Sequence, residues 1–162
     1  MFRDKIKKPA ALKKIIAGLK IRGQKIVFTN GCFDLLHYGH ASYLQEARRR
    51  GDILIVAVNS DASVRKIKGC RRPIISQKDR MNLVAALESV DYVVSFDART
   101  PINLIKLFIP DVLVKGADWD KESIVGGNFV KGQGGKALTL KLAKGRSTTN
   151  LIKKIAENYR QK

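Results

Sequence analysis

The chain has 162 residues, with 32 Lys and Arg against 14 Asp and Glu for a net charge of +18 at pH 7, 44% hydrophobic residues and two cysteines. That length predicts one domain with a substantial core and excludes a disulfide-stapled miniprotein or a disordered tail. The longest apolar stretch, Ile53 to Val58, is far short of the roughly 20 residues that cross a bilayer.

Lysines interrupt every N-terminal run that would form a secretory signal, so a cytoplasmic protein is expected. Cys32 and Cys70 form no CxxC pair, which points to reduced thiols. Residues 1–25 hold nine Lys and Arg against Asp4 alone. Such an excess implies an anionic partner: nucleic acid, acidic lipid or a phosphorylated metabolite.

Residues 9 to 22 read as an amphipathic helix, with Pro9 in the first turn, Leu12, Ile15, Ile16 and Leu19 on one face and Gly23 as a stop. Lys25 to Thr29 is a strand, Gly39 to Arg50 a helix, and Ile53 to Val58 a strand apolar enough to be buried on both faces. Ser76 to Leu87 is a helix with Ser76 as N-cap. Tyr92 to Ser95 is a third strand, followed by a helix with Thr100 as N-cap and Pro101 at its first position. Val112 to Lys115 is a fourth strand, Ala137 to Leu142 a fifth, and Ser147 to Tyr159 the last helix. The fold class is therefore α/β, a Rossmann-like open parallel sheet of about five strands with helices on both faces. Residues 1–24 form a basic helical extension and 25–162 the domain proper. In such sheets ligands bind beyond the carboxyl ends of the strands.

The loop after the first strand reads Asn30-Gly31-Cys32-Phe33-Asp34-Leu35-Leu36-His37-Tyr38-Gly39-His40. Gly31 permits a ligand or a turn to approach the backbone closely. His37 and His40, both histidines of the chain, share one face where the next helix begins, and a helix N-terminus favours phosphate. A metal pair and two merely packed histidines are the other readings of these residues. Asp34 fits a structural acceptor of backbone N–H bonds better than a catalytic group.

The segment GCFDLLHYGH resembles the GxFDxxHxGH signature of the cytidylyltransferase-like nucleotidyltransferases. The resemblance extends through Gly51-Asp52, Val58-Asn59-Ser60-Asp61, Arg80-Met81, Leu87-Glu88-Ser89-Val90-Asp91, Val114-Lys115-Gly116-Ala117-Asp118 and Ser147-Thr148-Thr149-Asn150-Leu151-Ile152. It is nearest to the branch of D-glycero-β-D-manno-heptose 1-phosphate adenylyltransferases, here in stand-alone form without the sugar-kinase domain. That branch implies transfer of AMP from ATP to the sugar 1-phosphate, giving ADP-heptose and pyrophosphate for lipopolysaccharide core synthesis.

By the same resemblance His37 and His40 are catalytic. Gly31, Cys32, Phe33, Gly39, Asp118, Ser147, Thr148 and Thr149 would bind the nucleotide, and Lys68 and Arg80 the acceptor. Mg²⁺ would bridge phosphate oxygens with no protein cage, and the enzyme would be a homodimer. Ser147 read alone is most simply an N-cap. Lys68 also fits a solvated basic loop, and Asp118 an exposed turn.

Glycerol-phosphate and ethanolamine-phosphate cytidylyltransferases usually carry an Arg where Leu142 stands, which leans the reading towards ATP. Gly126-Gly127 and Gly132 to Lys136 fail as a P-loop, because Val130 and Ala137 occupy required positions, and read as a turn. Nucleic-acid binding, prompted by +18, lacks aromatics interleaved with the basic runs. Weak attachment of residues 1 to 22 to an acidic membrane is a further expectation.

Overall fold

The computed structural model describes residues 1–116, 124–141 and 146–160. Five strands, β1 (Ile26–Gly31), β2 (Ile53–Asn59), β3 (Tyr92–Phe96), β4 (Val112–Gly116) and β5 (Lys136–Leu140), form one sheet in the order β3-β2-β1-β4-β5. Every pairing is parallel, with Ile26 opposite Ile53, Val27 opposite Val112 and Val112 opposite Lys136. The helices are α1 (Pro9–Ile21), α2 (Tyr38–Arg48), α3 (Asp61–Lys68), α4 (Gln77–Ala85), α5 (Ile102–Phe108), α6 (Gly127–Gly132) and α7 (Thr148–Tyr159).

Successive strand residues point to opposite faces, and β2 shows why its sequence is apolar without interruption. Leu54, Val56 and Val58 enter a core with Tyr43, Leu44 and Ala47 of α2 and Met81, Val84 and Ala85 of α4. Ile53, Ile55 and Ala57 enter a second core with Leu12, Ile16 and Leu19 of α1 and Leu104, Ile105 and Phe108 of α5. The parallel sheet expected from the alternating pattern is thus present, covered on both faces.

Residues 1–24 are built into this arrangement. The apolar stripe of α1 is buried in the second core, and Lys7 N donates to the Val93 carbonyl at 2.9 Å. The face that would enter a membrane interface therefore lies against the sheet. Among the described residues no helix is long and apolar enough to cross a membrane.

Three aspartates tie the strands together at the opposite rim from the site. Asp52 accepts from Lys25 N, Asp111 from Ile26 N and Asp91 from Leu54 N, each at 2.7 Å. Gly51 has no room for a side chain, because a Cβ there would stand 2.8 Å from the Lys25 carbonyl and 2.7 Å from Val27 Cγ2.

Three sequence expectations need correction. Residues 61–68, where Lys68 also fits a solvated basic loop, form the helix α3, capped by Ser60, whose hydroxyl accepts from Ser63 N at 3.0 Å, with Val64 its one buried apolar side chain. The glycine-rich run expected as a turn contains α6, which packs against β5 and buries Val130. Thr100 does not cap α5, whose N-cap position is Pro101 with no side-chain bond.

Leu12, fully buried under the sheet, anchors α1. Leu12→Ala is expected to lower unfolding free energy by about 2–4 kcal/mol. Ile21→Ala, at an 87% exposed position, should change it by under about 0.5 kcal/mol; urea unfolding checks both.

Candidate active site at the crevice between β1 and β4

The chain leaves β1 towards β2 and leaves β4 towards β5, in opposite directions across the sheet. Such a switch point opens a crevice at the carboxyl ends of the strands. Here it holds a cavity of about 710 Å³ lined by residues of the β1–α2 loop, α3, the β3–α5 loop, β4 and the start of α7. That volume suits a small-molecule substrate.

Asp34 organises the loop after β1. Its buried carboxylate accepts from Ile74 N at 2.9 Å and Ile75 N at 3.0 Å, and pairs with Arg72. Burial alone would raise its pKa, but the two amides and the Arg72 guanidinium outweigh it and hold the carboxyl below its ordinary value. Its backbone carbonyl accepts from Thr148 Oγ1 at 2.6 Å. The expected structural role is present, although the amides come from the 72–75 segment rather than from the start of α2.

Either side of Asp34 the backbone is left-handed, at φ 49° for Phe33 and 52° for Leu35, a region non-glycine residues occupy at a cost. The turn folds the Phe33 ring back over Gly31, where an added Cβ would stand 3.0 Å from the ring. Gly31 thus makes room for Phe33. The ring then meets His40 edge-on, with centroids 5.4 Å apart.

His37 is the N-cap residue of α2 and has no side-chain bond to the helix amides. Its ring stacks on His40 with centroids 3.9 Å apart and planes 22° from parallel. Gly39 allows this, since a Cβ there would stand 2.9 Å from His37 Cε1 and 3.1 Å from Arg146 Cβ. Burial, the neighbouring His37 ring and an opposing effect of Asp34 bring the His40 pKa down to about 4. Burial and Arg146 lower that of His37. Both rings are neutral at pH 7, and two cations are not stacked face to face.

In each ring Nδ1 is buried with no hydrogen-bond partner. A buried unfilled acceptor costs less than a buried orphan N–H, so the proton sits on Nε2 in both rings. Each histidine then offers a neutral N–H donor to whatever occupies the cavity.

The expected site residues His37, His40, Gly31, Cys32, Phe33, Gly39, Lys68, Ser147, Thr148 and Thr149 all line this one cavity. Ser147 also caps α7, accepting from Asn150 N at 3.1 Å, so capping and ligand contact are compatible. Arg80 stands apart. It is fully buried, donating to the carbonyls of Ile75, Cys32 and Asn59 and to Asp61 Oδ1. Its guanidinium holds the cavity floor from beneath instead of meeting an acceptor. Asp118 and Leu142 lie outside the described residues.

Sequence reasoning did not assign Arg72, Arg99 or Lys115 a role, yet all three line the cavity. A lysine ending an otherwise apolar strand was the available signal for Lys115. Among the described residues no group of three or more His, Cys, Asp or Glu could hold a metal ion.

A family model described as cytidylyltransferase-like matches residues 28–154. The chain is 48% identical over 160 residues to the bifunctional protein HldE of Syntrophotalea carbinolica, and 53% identical over 149 residues to HldE of Cronobacter sakazakii. These matches cover 99% and 92% of this chain but 33% and 31% of the two relatives, so the chain spans about a third of their length. The crystal structure of a lipopolysaccharide core biosynthesis protein from Thermoplasma volcanium GSS1 is similar with a TM-score of 0.63 at 26% identity, over 76% of this chain and 100% of that one. The pantoate-beta-alanine ligase of Francisella tularensis shares the fold, with a TM-score of 0.61 at 16% identity over 97% and 79% of the two chains.

Two outcomes follow from the electrostatics. In an NMR titration the His40 ring protons should shift with a midpoint near 4, and those of His37 below the ordinary histidine value. Asp34→Asn should cost about 1.5–3 kcal/mol at pH 7. Because the folded-state carboxyl is held low, its stabilisation is present above the ordinary carboxylate range and lost as pH falls through and below it. Acid unfolding of the variant should accordingly begin from a lower stability and show a shallower slope there.

Proposed function

The chain belongs to the cytidylyltransferase-like family, and from that premise we propose that it transfers AMP from ATP to D-glycero-β-D-manno-heptose 1-phosphate, releasing pyrophosphate. A phosphate oxygen of the sugar attacks the α-phosphorus in line. The new O–P bond forms as the bond from the α-phosphorus to the β-bridging oxygen breaks, and pyrophosphate departs with that electron pair. The nucleophile is already an anion, so the protein needs neither a covalent intermediate nor a general base. Its work is positioning and charge stabilisation.

The observation that carries this reading is the stacked, neutral imidazole pair at the start of α2, inside a cavity that also holds Ser147–Thr149 and Lys68. In this reading Nε2–H of His37 and His40 donates to oxygens gaining charge in the transition state. The opening turn of α7 receives the β- and γ-phosphates, and Lys68 meets the phosphate of the acceptor. Gly31, Cys32, Phe33 and Gly39 shape the nucleotide wall, and Asp118 is a further nucleotide contact. Mg²⁺ carried by ATP itself, with no protein cage among the described residues, would supply further neutralisation of phosphate charge. The product would serve lipopolysaccharide core assembly.

Pyrophosphate release, measured with ATP or CTP against a panel of sugar 1-phosphates, tests the reading. It should be fastest with ATP and the heptose 1-phosphate. His37→Ala and His40→Ala should each lower the rate by about 10²–10³. Near-full activity in both folded variants would remove the imidazoles from the mechanism, and a preference for CTP with an alcohol phosphate would reassign the substrates.

A further inference from the structure

We infer that Lys115 is a catalytic residue of this transfer, its ammonium meeting the α-phosphate of the bound nucleotide from the β4 side of the crevice, across from the two imidazoles. The inference rests on the nucleotidyltransferase reading of the cavity.

Position is the first support. β1 is the strand at which the crevice divides. Lys68 and Arg99 reach the cavity from the β2 and β3 side, and the start of α7 closes it together with the β1–α2 loop. The α-phosphorus, where the acceptor's phosphate oxygen displaces pyrophosphate, belongs over β1 in this reading, where His37 and His40 stand. Lys115, on the adjacent strand β4, lines the same cavity and donates from Nζ to the Asn30 carbonyl at 3.5 Å. It is thus a cation on the β4 side of the crevice, facing the same cavity as the two imidazoles.

The floor beside it is built for a ligand. Asn30 Oδ1, on the residue whose carbonyl Lys115 approaches, is buried with no hydrogen-bond partner. A nucleotide or sugar hydroxyl would fill that acceptor.

Electrostatics agree with the geometry. Burial lowers the Lys115 ammonium to about 8, with Cys32 opposing the shift. Among the described residues the titratable groups around the cavity are Cys32, whose thiol burial pushes up; Asp34, engaged by Ile74, Ile75 and Arg72; Tyr43, whose hydroxyl bonds that of Thr29; the two neutral imidazoles; and the cations Lys68, Arg72, Arg99 and Arg146. An arriving phosphate offsets both the burial and the surrounding like charge, so Lys115 binds its proton more tightly once the nucleotide is in place. It keeps that proton through the reaction and stabilises charge on the non-bridging oxygens.

The test is proton uptake on ligand binding, read by titration calorimetry at about pH 8.5 in two buffers of different ionisation enthalpy. From a value of about 8, binding of ATP should take up roughly three quarters of a proton. AMP, which carries only the α-phosphate, should do the same, and adenosine should not. The imidazoles, both held below the ordinary histidine value, are too far from this pH to contribute, and the Cys32 thiol, pushed up by burial, already holds its proton. Lys115→Met should abolish it and lower the single-turnover rate by about 10²–10³.

ATP binding without uptake by the wild-type protein, uptake with ATP but not AMP, or uptake retained in Lys115→Met each overturns the assignment. The wild-type titrations decide without any variant. Absence of ATP binding altogether would instead sink the nucleotidyltransferase reading on which the assignment stands.

Discussion

The site depends on the buried carboxylate of Asp34. One side chain and one carbonyl bind the 72–75 segment, Arg72 and Thr148 of α7, so three stretches of chain far apart in sequence share a single anchor. The strain of two left-handed residues flanking it is tolerable only because these bonds over-determine the loop. What the strain provides is placement: the Phe33 ring under His40, and His37 at the head of α2. Arg80 performs the matching task from below, tying the carbonyls of Cys32, Asn59 and Ile75 to Asp61. Arg80 lies outside the cavity lining and the carboxylate of Asp34 is already engaged, and both hold in place the groups that face the cavity.

A protein of net charge +18 nevertheless presents neutral donors at its centre. The physical reason is packing. Rings 3.9 Å apart repel strongly when both are charged, and burial adds to the penalty. Positive charge is instead distributed around the rim and floor, where Lys68, Arg72, Arg99, Lys115 and Arg146 line the cavity. In the proposed reaction the cations would gather and hold a polyanion, and the imidazole N–H groups, fixed in direction, would answer the charge that appears only during reaction.

Much of this was legible in the sequence because parallel sheets impose a simple code. Uninterrupted apolar runs such as Ile53 to Val58 signalled strands buried on both faces, and Gly51-Asp52 marked a strand start whose side chain accepts a backbone N–H. His37 and His40 were readable because their spacing on one helical face is local. The missed features are long-range or short. Arg80 was expected at an acceptor because position in a motif does not reveal which way a guanidinium points, and its partners lie 5 to 48 residues away. α3 and α6 escaped because both are short, at eight and six residues, and the second begins and ends in glycine. Lys115 was quoted as part of a motif, yet only the sheet order brings it beside Asn30.

That sheet order also bears on synthesis. β1 lies between β2, which follows within 25 residues, and β4, which pairs with it through Val112 opposite Val27, some 85 positions later. A nascent chain emerging from the ribosome can assemble β1, β2 and β3 first, leaving one edge of β1 unpaired. Long-range parallel pairing is slow to form, and an open strand edge invites wrong partners. Since one wall of the pocket arrives with β4 and α7, a chain that has assembled only β1 to β3 carries both an open strand edge and an incomplete cavity, and the same late docking step completes the two.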